Sequence, residues 1–339
     1  MLLPYLHSVT ARRHLSAIDS YAAMQAILHG GATDTQLAAF LVALHMKGET
    51  AEELAGFARA LREAAIPVPF EPAAGETLLD TCGTGGDGHN TFNISTTVAF
   101  VVAGCGVPVA KHGNRALSGS SGSADVLEKL GVTIAATGDQ AGRALREAGI
   151  CFLFAPAFHP KAKQAQMVRR ELKMRTVFNL LGPLSNPAPA RAQMVGAPSL
   201  DAAERVAAAL NELGLERGYV VHGDDGMDEV TLTGPTAVFA IQNGGVRQFS
   251  VQPEDFGIAR ASLDSLRGGD PAENAKIALD ILTGASGPKR DIVLVNASMA
   301  LMAAGKATSY GEGVEKAAQS IDTGAAAEKL ERLALLSRS

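Results

Sequence analysis

The chain has 339 residues, 47% of them apolar and 19% charged, with a formal net charge of −5. That is a globular balance, with length for one large domain or two ordinary ones, and its sign gives no electrostatic basis for a nucleic-acid partner. Cys82, Cys105 and Cys151 are scattered and form no C-x-x-C pair, which argues against a disulfide scaffold and a structural zinc site.

The opening stretch MLLPYLHSVTARRHLS places its arginines after its apolar residues, the reverse of a secretory signal. The longest uncharged apolar run, TTVAFVVAGCGVPVA, is broken by Gly104, Gly106 and Pro108 and is too short for a membrane span. A soluble cytoplasmic protein with no membrane partner is expected. The first seventy residues read as helix only. Ser16-x-x-Asp19, Thr33-x-x-Gln36 and Thr50-x-x-Glu53 each set a hydroxyl cap three residues before an acid or amide. Tyr21, Met24 and Leu28 follow the first cap, Leu37, Phe40, Leu41 and Leu44 the second, and Leu54, Phe57, Ala58 and Leu61 the third, all at helical spacing. Three capped helices are expected, and their surplus apolar surface suits a core or a subunit interface.

From Glu76 onward short apolar runs alternate with helical stretches. TLLD precedes a glycine-rich loop, and TIAA precedes a helix from about Asp139 to Gly149. CFLF, GYVVH, AVFAI and DIVLV follow as further strand candidates, and Asp201-x-x-Glu204 caps a helix bearing Val206, Leu210 and Leu213. Asn243-Gly244-Gly245 reads as a hairpin turn, hence one antiparallel pair. The expected class is α/β, a small all-helical N-terminal domain plus a larger α/β domain with a mostly parallel central sheet. The proline-rich NLLGPLSNPAPA, 179–190, is the expected crossing between the two.

In DTCGTGGDGHNTFNIST, residues 80–96, Gly83, Gly85 and Gly88 satisfy G-x-G-x-x-G. A dinucleotide site also needs an acid about 20 residues further on. That region is GCGVPVAKHGNR, and no Asp or Glu occurs from Gly88 to Ala124, while Lys111 and Arg115 do. No Gly-Lys-Ser/Thr follows at P-loop spacing either. The loop therefore suits a strongly anionic ligand held by backbone N–H groups and a lysine. Asn93, Ser95 and Thr96 stand where a helix would begin, as plain caps or as partners for phosphate oxygens or a metal. SGSSGSAD, 118–125, offers a second Gly/Ser nest or simply a loop. Asp224, Asp225, Asp228 and Glu229 follow the strand-like GYVVH, as solvated charges or as carriers of magnesium to a pyrophosphate.

GTGGDGHNTFNIST, KHGNRALSGSSGSADVLEKLG, RTVFNLLGPLSNPA and MDEV together resemble the signature blocks of the anthranilate phosphoribosyltransferases, and the likeness continues to ENAKIALDILTGASGPKRDIVLVNASMAL near the C-terminus. The resemblance implies transfer of phosphoribose from phosphoribosyl pyrophosphate (PRPP) to the amine of anthranilate, in tryptophan biosynthesis. It implies a homodimer formed through the helical domain, 1–70 with about 165–187 packing on it, against an α/β domain of 74–164 and 188–339. By motif, Gly83, Gly86, Asp87, Thr91, Asn93, Ser95, Thr96, Lys111 and Ser123 would surround PRPP. Ser95, Asp228 and Glu229 would engage two magnesium ions, and Gly83, Asn114 and Arg169 would meet anthranilate.

The sequence departs from the family pattern at Phe158-His159-Pro160, where two histidines or Tyr-His usually precede the proline. Lys161 and Ala162 replace the usual Ala-Met, and Lys173 takes a common glycine position. These departures bear on the acceptor route more than on PRPP. A pyrimidine nucleoside phosphorylase-like enzyme, a non-catalytic nucleic-acid-binding relative and a nicotinamide-dependent dehydrogenase are the alternative readings. KHGNR and the Asp228-Glu229 pair fit the first poorly, the net charge opposes the second, and the missing ribose acid opposes the third. No covalent nucleophile is expected. His112 reads as a packing or hydrogen-bonding residue, with a base as the alternative.

Overall fold

A computed structural model describes residues 1–116 and 121–338; Ser118, Gly119 and Ser120 of the expected second nest lie outside the described residues. The chain opens with four helices where three capped ones are expected: α1 (Leu3–Thr10), α2 (Ala17–Leu28), α3 (Asp34–Lys47) and α4 (Ala51–Ala64). Ser16, Thr33 and Thr50 cap the last three, each hydroxyl accepting from the backbone N–H three residues on. The first helix has no side-chain cap and carries a proline, Pro4, as its second residue, so it lacks the hydroxyl signal that marks the others.

Glu53 ties this bundle together. Its carboxylate accepts from Leu15 N at 2.8 Å, Thr50 N at 2.9 Å and Lys47 Nζ at 2.8 Å, and both charged side chains are buried. The apolar faces read from the periodicity pack behind it: Leu37, Phe40, Leu41, Leu44, Leu54, Phe57, Ala58 and Leu61 are all buried. The rings of Phe40 and Phe57 meet edge to face at 6.2 Å.

Among the described residues seven strands follow: β1 (Leu79–Asp80), β2 (Val109–Gly113), β3 (Ile150–Phe154), β4 (Ala192–Gly196), β5 (Arg217–Gly223), β6 (Thr236–Gln242) and β7 (Gly245–Val251). They form one sheet in the order β3-β2-β1-β4-β5-β6-β7. Its first five members pair in parallel, and β6 and β7 are antiparallel. The remaining helices are α5 (Ile94–Gly104), α6 (Ser123–Lys129), α7 (Gly138–Ala148), α8 (Ala155–Phe158), α9 (Lys163–Leu172), α10 (Phe178–Leu181), α11 (Leu200–Glu212), α12 (Pro271–Leu282), α13 (Pro288–Ala303), α14 (Tyr310–Asp322) and α15 (Ala325–Leu336).

Several local expectations are corrected. TIAA is not a strand, and DIVLV lies inside α13. A five-residue apolar run has no period to separate a strand from a buried helix, and this helix is buried along most of its length. The helix at Asp201 is capped by Ser199, whose hydroxyl accepts from Ala202 N. Two antiparallel pairings replace the single one expected. The hairpin between β6 and β7 turns on Asn243 (φ 54°) and Gly244 (φ 73°), the two positive φ values of a type I′ turn.

Two apolar clusters form. One centres on α5 and α13 against β1–β3. The other joins the N-terminal helices to α9, α10, α11 and one face of β4–β6. Between them every residue from 182 to 186 is held by a side chain. His112 Nδ1 donates to Gly182 O (2.9 Å), Gln193 to Pro183 O (2.8 Å) and Arg62 to Leu184 O (2.6 Å). The His159 ring bonds to the Ser185 backbone, and Asn186 donates to Ala110 O at 2.9 Å. The His112 and His159 rings lie 5.3 Å apart.

Replacing Glu53 by Ala is expected to lower stability by about 3–5 kcal/mol, because Lys47 is left buried and unpaired. Thr50→Ala is expected to remove only about 1 kcal/mol. Urea unfolding of both variants checks this ordering; an effect of Glu53→Ala no larger than that of Thr50→Ala overturns it.

A pH dependence follows from the histidine pair. Burial lowers His112 to about 4 and His159 to about 3, from 6.5 when free. Folding thus favours the neutral rings, a contribution complete above about pH 6.5 and lost as pH falls toward the folded values. The urea midpoint should drop between pH 7 and 4.5, and His159→Gln should flatten that drop. An unchanged profile in the variant would show that the acid sensitivity lies elsewhere.

Candidate active site

The chain runs from β1 through β2 to β3 on one side and returns to β4 on the other side of β1. The reversal opens a crevice beyond the carboxyl ends of β1 and β4, the usual ligand position in such sheets. The glycine loop leaves β1 into this crevice, and β4 ends there at Gly196. Thr84 N donates to Gly196 O at 2.9 Å. A Cβ on Gly83 would stand 3.3 Å from the Gly196 backbone, and one on Gly196 would stand 1.5 Å from the carbonyl oxygen of Asp228. Glycine is therefore required at 196 by close backbone approach. Gly85, Gly86 and Gly88 have φ of 66°, 88° and 80°, left-handed values that let the loop turn back on itself.

Below the loop, Asp80 is fully buried. Its carboxylate accepts from Cys82 N (3.0 Å), His112 N (3.2 Å) and Gln193 (3.3 Å). Burial raises its pKa, and Asn186 and Lys111 oppose the rise. Lys111, on β2, donates to Thr81 O (3.2 Å), Thr81 Oγ1 (3.3 Å) and Ser95 Oγ (3.3 Å). The expected lysine and serine thus meet at the start of α5.

Asp228 and Glu229 come to the same place. The Asp228 carboxyl accepts from Gly85 N and is pushed up to about 7 by burial and then by the Asp87 carboxylate. Glu229 accepts from Ser95 N, and its pKa lies well above the usual range because of burial and Asp228, with Lys111 opposing. Asp225 does not join them. It accepts from Thr231 Oγ1 (2.6 Å), Thr233 Oγ1 (2.7 Å) and Met227 N (3.1 Å), and so shapes the acidic turn, while Asp224 is exposed. Asn296 on α13 completes the support: it accepts from Val230 N at 2.9 Å and donates to Val230 O at 3.0 Å.

The other donor-side residues divide. Asn93 makes no cap bond; its Oδ1 accepts from Ser121 Oγ (3.2 Å) and Asn274 (3.0 Å), and its amide donates to Ser121 O. It braces the second nest and keeps one N–H. Thr96 is buried on α5, and Thr91 pairs by its backbone with Arg267. Ser123 Oγ donates to Asn114 O at 3.2 Å, joining those two expected residues. Arg115 is turned away from any anion by Asp125 and Glu128, at 2.8 and 2.7 Å.

On the acceptor side Arg169 is half-buried and Arg170 exposed. The Arg169 guanidinium lies 5.2 Å from the Phe178 ring centroid and 3.5 Å from Asn179 Oδ1, and burial lowers its pKa to about 10. Phe158 and His159 of the departing segment are buried, and Lys161 is exposed. Lys173 ends α9 at φ 48°, a left-handed position that glycine occupies freely.

Among the described residues no group of three or more His, Cys, Asp or Glu side chains is arranged as a ready metal cage. Magnesium does not need one, since it keeps several waters and takes one or two carboxylates with substrate phosphates. The local chemistry fits a cation: Asp87, Asp228 and Glu229 repel one another, and buried Asp87 Oδ2 has no hydrogen-bond partner. Sequence reading missed Gly196, Asp80, Arg175, Asn274 and Asn296. Asn296 alone left a signal, a single amide within the apolar run DIVLVNASMAL.

Residues 75–327 match the glycosyl transferase family a/b domain, and residues 3–65 match the helical bundle domain of that family. The anthranilate phosphoribosyltransferase of Solibacter usitatus is 57% identical over 98% of each chain. The crystal structure of anthranilate phosphoribosyltransferase from Thermus thermophilus superimposes with a TM-score of 0.92 at 43% identity, covering 98% of this chain and 99% of that one. The Saccharomyces cerevisiae enzyme in complex with PRPP and Mg gives a TM-score of 0.90 at 30% identity, covering 99% and 98%. With both portions matched and full-length relatives of this identity, the chain belongs to the anthranilate phosphoribosyltransferase family.

Proposed function

We propose that the chain transfers the phosphoribosyl group of PRPP to the amine of anthranilate, giving N-(5-phosphoribosyl)anthranilate and pyrophosphate, in tryptophan biosynthesis. The observation that carries this reading is the convergence of Gly83–Asp87, Ser95, Lys111, Asp228 and Glu229 at the sheet's reversal point in a chain of this family. The phosphorylase, nucleic-acid-binding and dehydrogenase readings have no comparable observation behind them. Loss of anthranilate fluorescence on adding PRPP and magnesium is the direct assay, and an inactive folded protein would overturn the reading.

In this reading PRPP brings an activated leaving group, and the neutral arylamine attacks C1 without a covalent enzyme intermediate. The chain's task is to orient the two substrates and stabilise departing pyrophosphate. Backbone N–H groups of the glycine loop would face the phosphates. Lys111, held by Thr81, adds a fixed positive charge, and Ser95 and Thr96 offer hydroxyls. Magnesium, two ions per subunit in this proposal, neutralises pyrophosphate charge when bound; Ser95, Asp228 and Glu229 would hold it, with Asp87 alongside. Gly83, Asn114 and Arg169 would receive anthranilate, the guanidinium fork matching its planar carboxylate. His112 is neutral and spent on Gly182 O, which suits packing better than proton transfer. A homodimer through the helical portion, where Ile18 and Met46 are exposed, and a cytoplasmic location belong to the same proposal. No described helix is long and apolar enough to cross a membrane.

Magnesium with PRPP should raise the thermal midpoint of the wild type. Asp228→Asn with Glu229→Gln should abolish that rise and severely lower turnover while the fold persists. Near wild-type activity of the double variant at low magnesium would remove the acids from the metal role.

Arg169→Ala should weaken anthranilate binding by about 1.5–3 kcal/mol, roughly 10- to 150-fold, and spare PRPP. Arg170→Ala is the control, since its side chain points about 100° away on the helix. Equal effects from both variants, or a defect confined to PRPP, would place the acceptor elsewhere.

A further inference from the structure

Arg175 stands on the short segment between α9 and α10, yet its guanidinium reaches the glycine loop. Nη1 donates to Gly86 O at 2.9 Å and Nη2 to Gly85 O at 3.4 Å. The approach is close: a Cβ on Gly86 would lie 2.9 Å from Nη2 and 3.2 Å from both Cζ and Nη1. Gly86 is favoured as glycine by its φ of 88°, and the absence of a side chain there lets the guanidinium lie directly on the loop. Among the described residues no carboxylate pairs with Arg175, so its charge is directed at the loop alone.

These bonds have a geometric consequence. No cis peptide occurs among the described residues, and in a planar trans peptide the carbonyl and the following N–H point in opposite directions. With the Gly85 and Gly86 carbonyls turned to the guanidinium, the N–H groups of Gly86 and Asp87 are turned away from it. Gly85 N is already committed to Asp228. Thr84 Oγ1 also donates to Gly85 O at 3.4 Å, so Arg175 shares that carbonyl and alone among the described side chains holds the Gly86 carbonyl, and with it the aim of Asp87 N.

The same segment carries the acceptor-side arginine. Asn179 Oδ1 accepts from Thr176 N at 3.0 Å and from Arg169 Nη2 at 3.5 Å. Thr176 follows Arg175 directly, so the acceptor arginine and the loop-holding arginine are tied to one amide. We propose that Arg175 is a positioning residue for the transfer, a latch across the cleft that aims the Gly86 and Asp87 N–H groups at pyrophosphate and links that aim to the acceptor site. This rests on the reading of the glycine loop as the PRPP site.

The test compares wild type, Arg175→Ala and Arg175→Lys as full-length proteins. PRPP binding is measured by calorimetry with magnesium, steady-state constants by anthranilate fluorescence, and amide hydrogen exchange across residues 84–88. Arg175→Ala should weaken PRPP binding and raise its KM roughly tenfold, as expected for lost hydrogen bonds to a charged group. Exchange of the loop amides should speed up, with the thermal midpoint unchanged because the side chain is exposed. Arg175→Lys should recover only part of the affinity, since a point charge cannot hold two carbonyls in a fixed fork. PRPP affinity within twofold of wild type and unaltered loop exchange in Arg175→Ala would overturn the latch. An inactive wild type would instead overturn the functional reading, so the two failures are separable.

Discussion

Three backbone segments at the crest of the sheet leave no space for a side chain between them. The glycine loop rests on Gly196, and Gly196 rests on the carbonyl of Asp228, where a single added carbon would overlap oxygen. This contact fixes the height of the loop above β1 and β4 and brings the Asp228-Glu229 turn under it. At that separation Gly85 N faces the Asp228 carboxyl and Ser95 N faces that of Glu229. Asp225 inside the turn and Asn296 behind it then hold the acids without touching the crevice. The site is thus built from backbone proximity first and side chains second.

Charge within the site is unevenly distributed. Lys111 is flanked by Asp80 on the sheet side and Glu229 on the crevice side, and it opposes the upward shift of both. Asp87 and Asp228 add two more carboxylates, one with a buried oxygen lacking any partner. Lys111 cannot by itself balance four acids; Arg62 faces only Asp80, and Arg175 is held on the loop carbonyls. An anionic substrate entering alone would be repelled, whereas one carrying divalent cations would relieve the mutual repulsion. That is the physical reason why a phosphate site can be lined with acids, and why the long acid-free stretch tells only half the story.

Much of the fold was legible because the signals were local. Hydroxyl caps and helical spacing gave α2, α3 and α4, and Asn-Gly gave the β6–β7 hairpin. The first helix was not legible because Leu2, with no capping hydroxyl, stands before it. The strands β2 and β4 were missed because VAKHG and AQMVG interleave functional and small residues with the apolar ones. DIVLV misled because burial on all sides erases periodicity. Lys111, Ser95, Asp228 and Glu229 could be named as candidates from motif, and the structure joins Lys111 to Ser95 with Glu229 beside them and Asp228 next to it. Gly196, Asp80 and Arg175 could not, since what selects them is contact with a neighbour distant in the chain: the Asp228 carbonyl for Gly196, Gln193 for Asp80 and the Gly86 carbonyl for Arg175.

The acceptor side shows how a fold absorbs departures from a pattern. Phe158 and His159 are buried in the wall behind the crossing, where His159 holds Ser185 and faces His112, so their identity is set first by packing. Lys173 is a different matter. A non-glycine residue in the left-handed region costs about 1–2 kcal/mol, and this one lies four residues after Arg169 and two before Arg175. It therefore sits in the connection between the proposed acceptor contact and the loop latch. Strain there is opposed by the Asn179 bonds, which fix the turn from the other end.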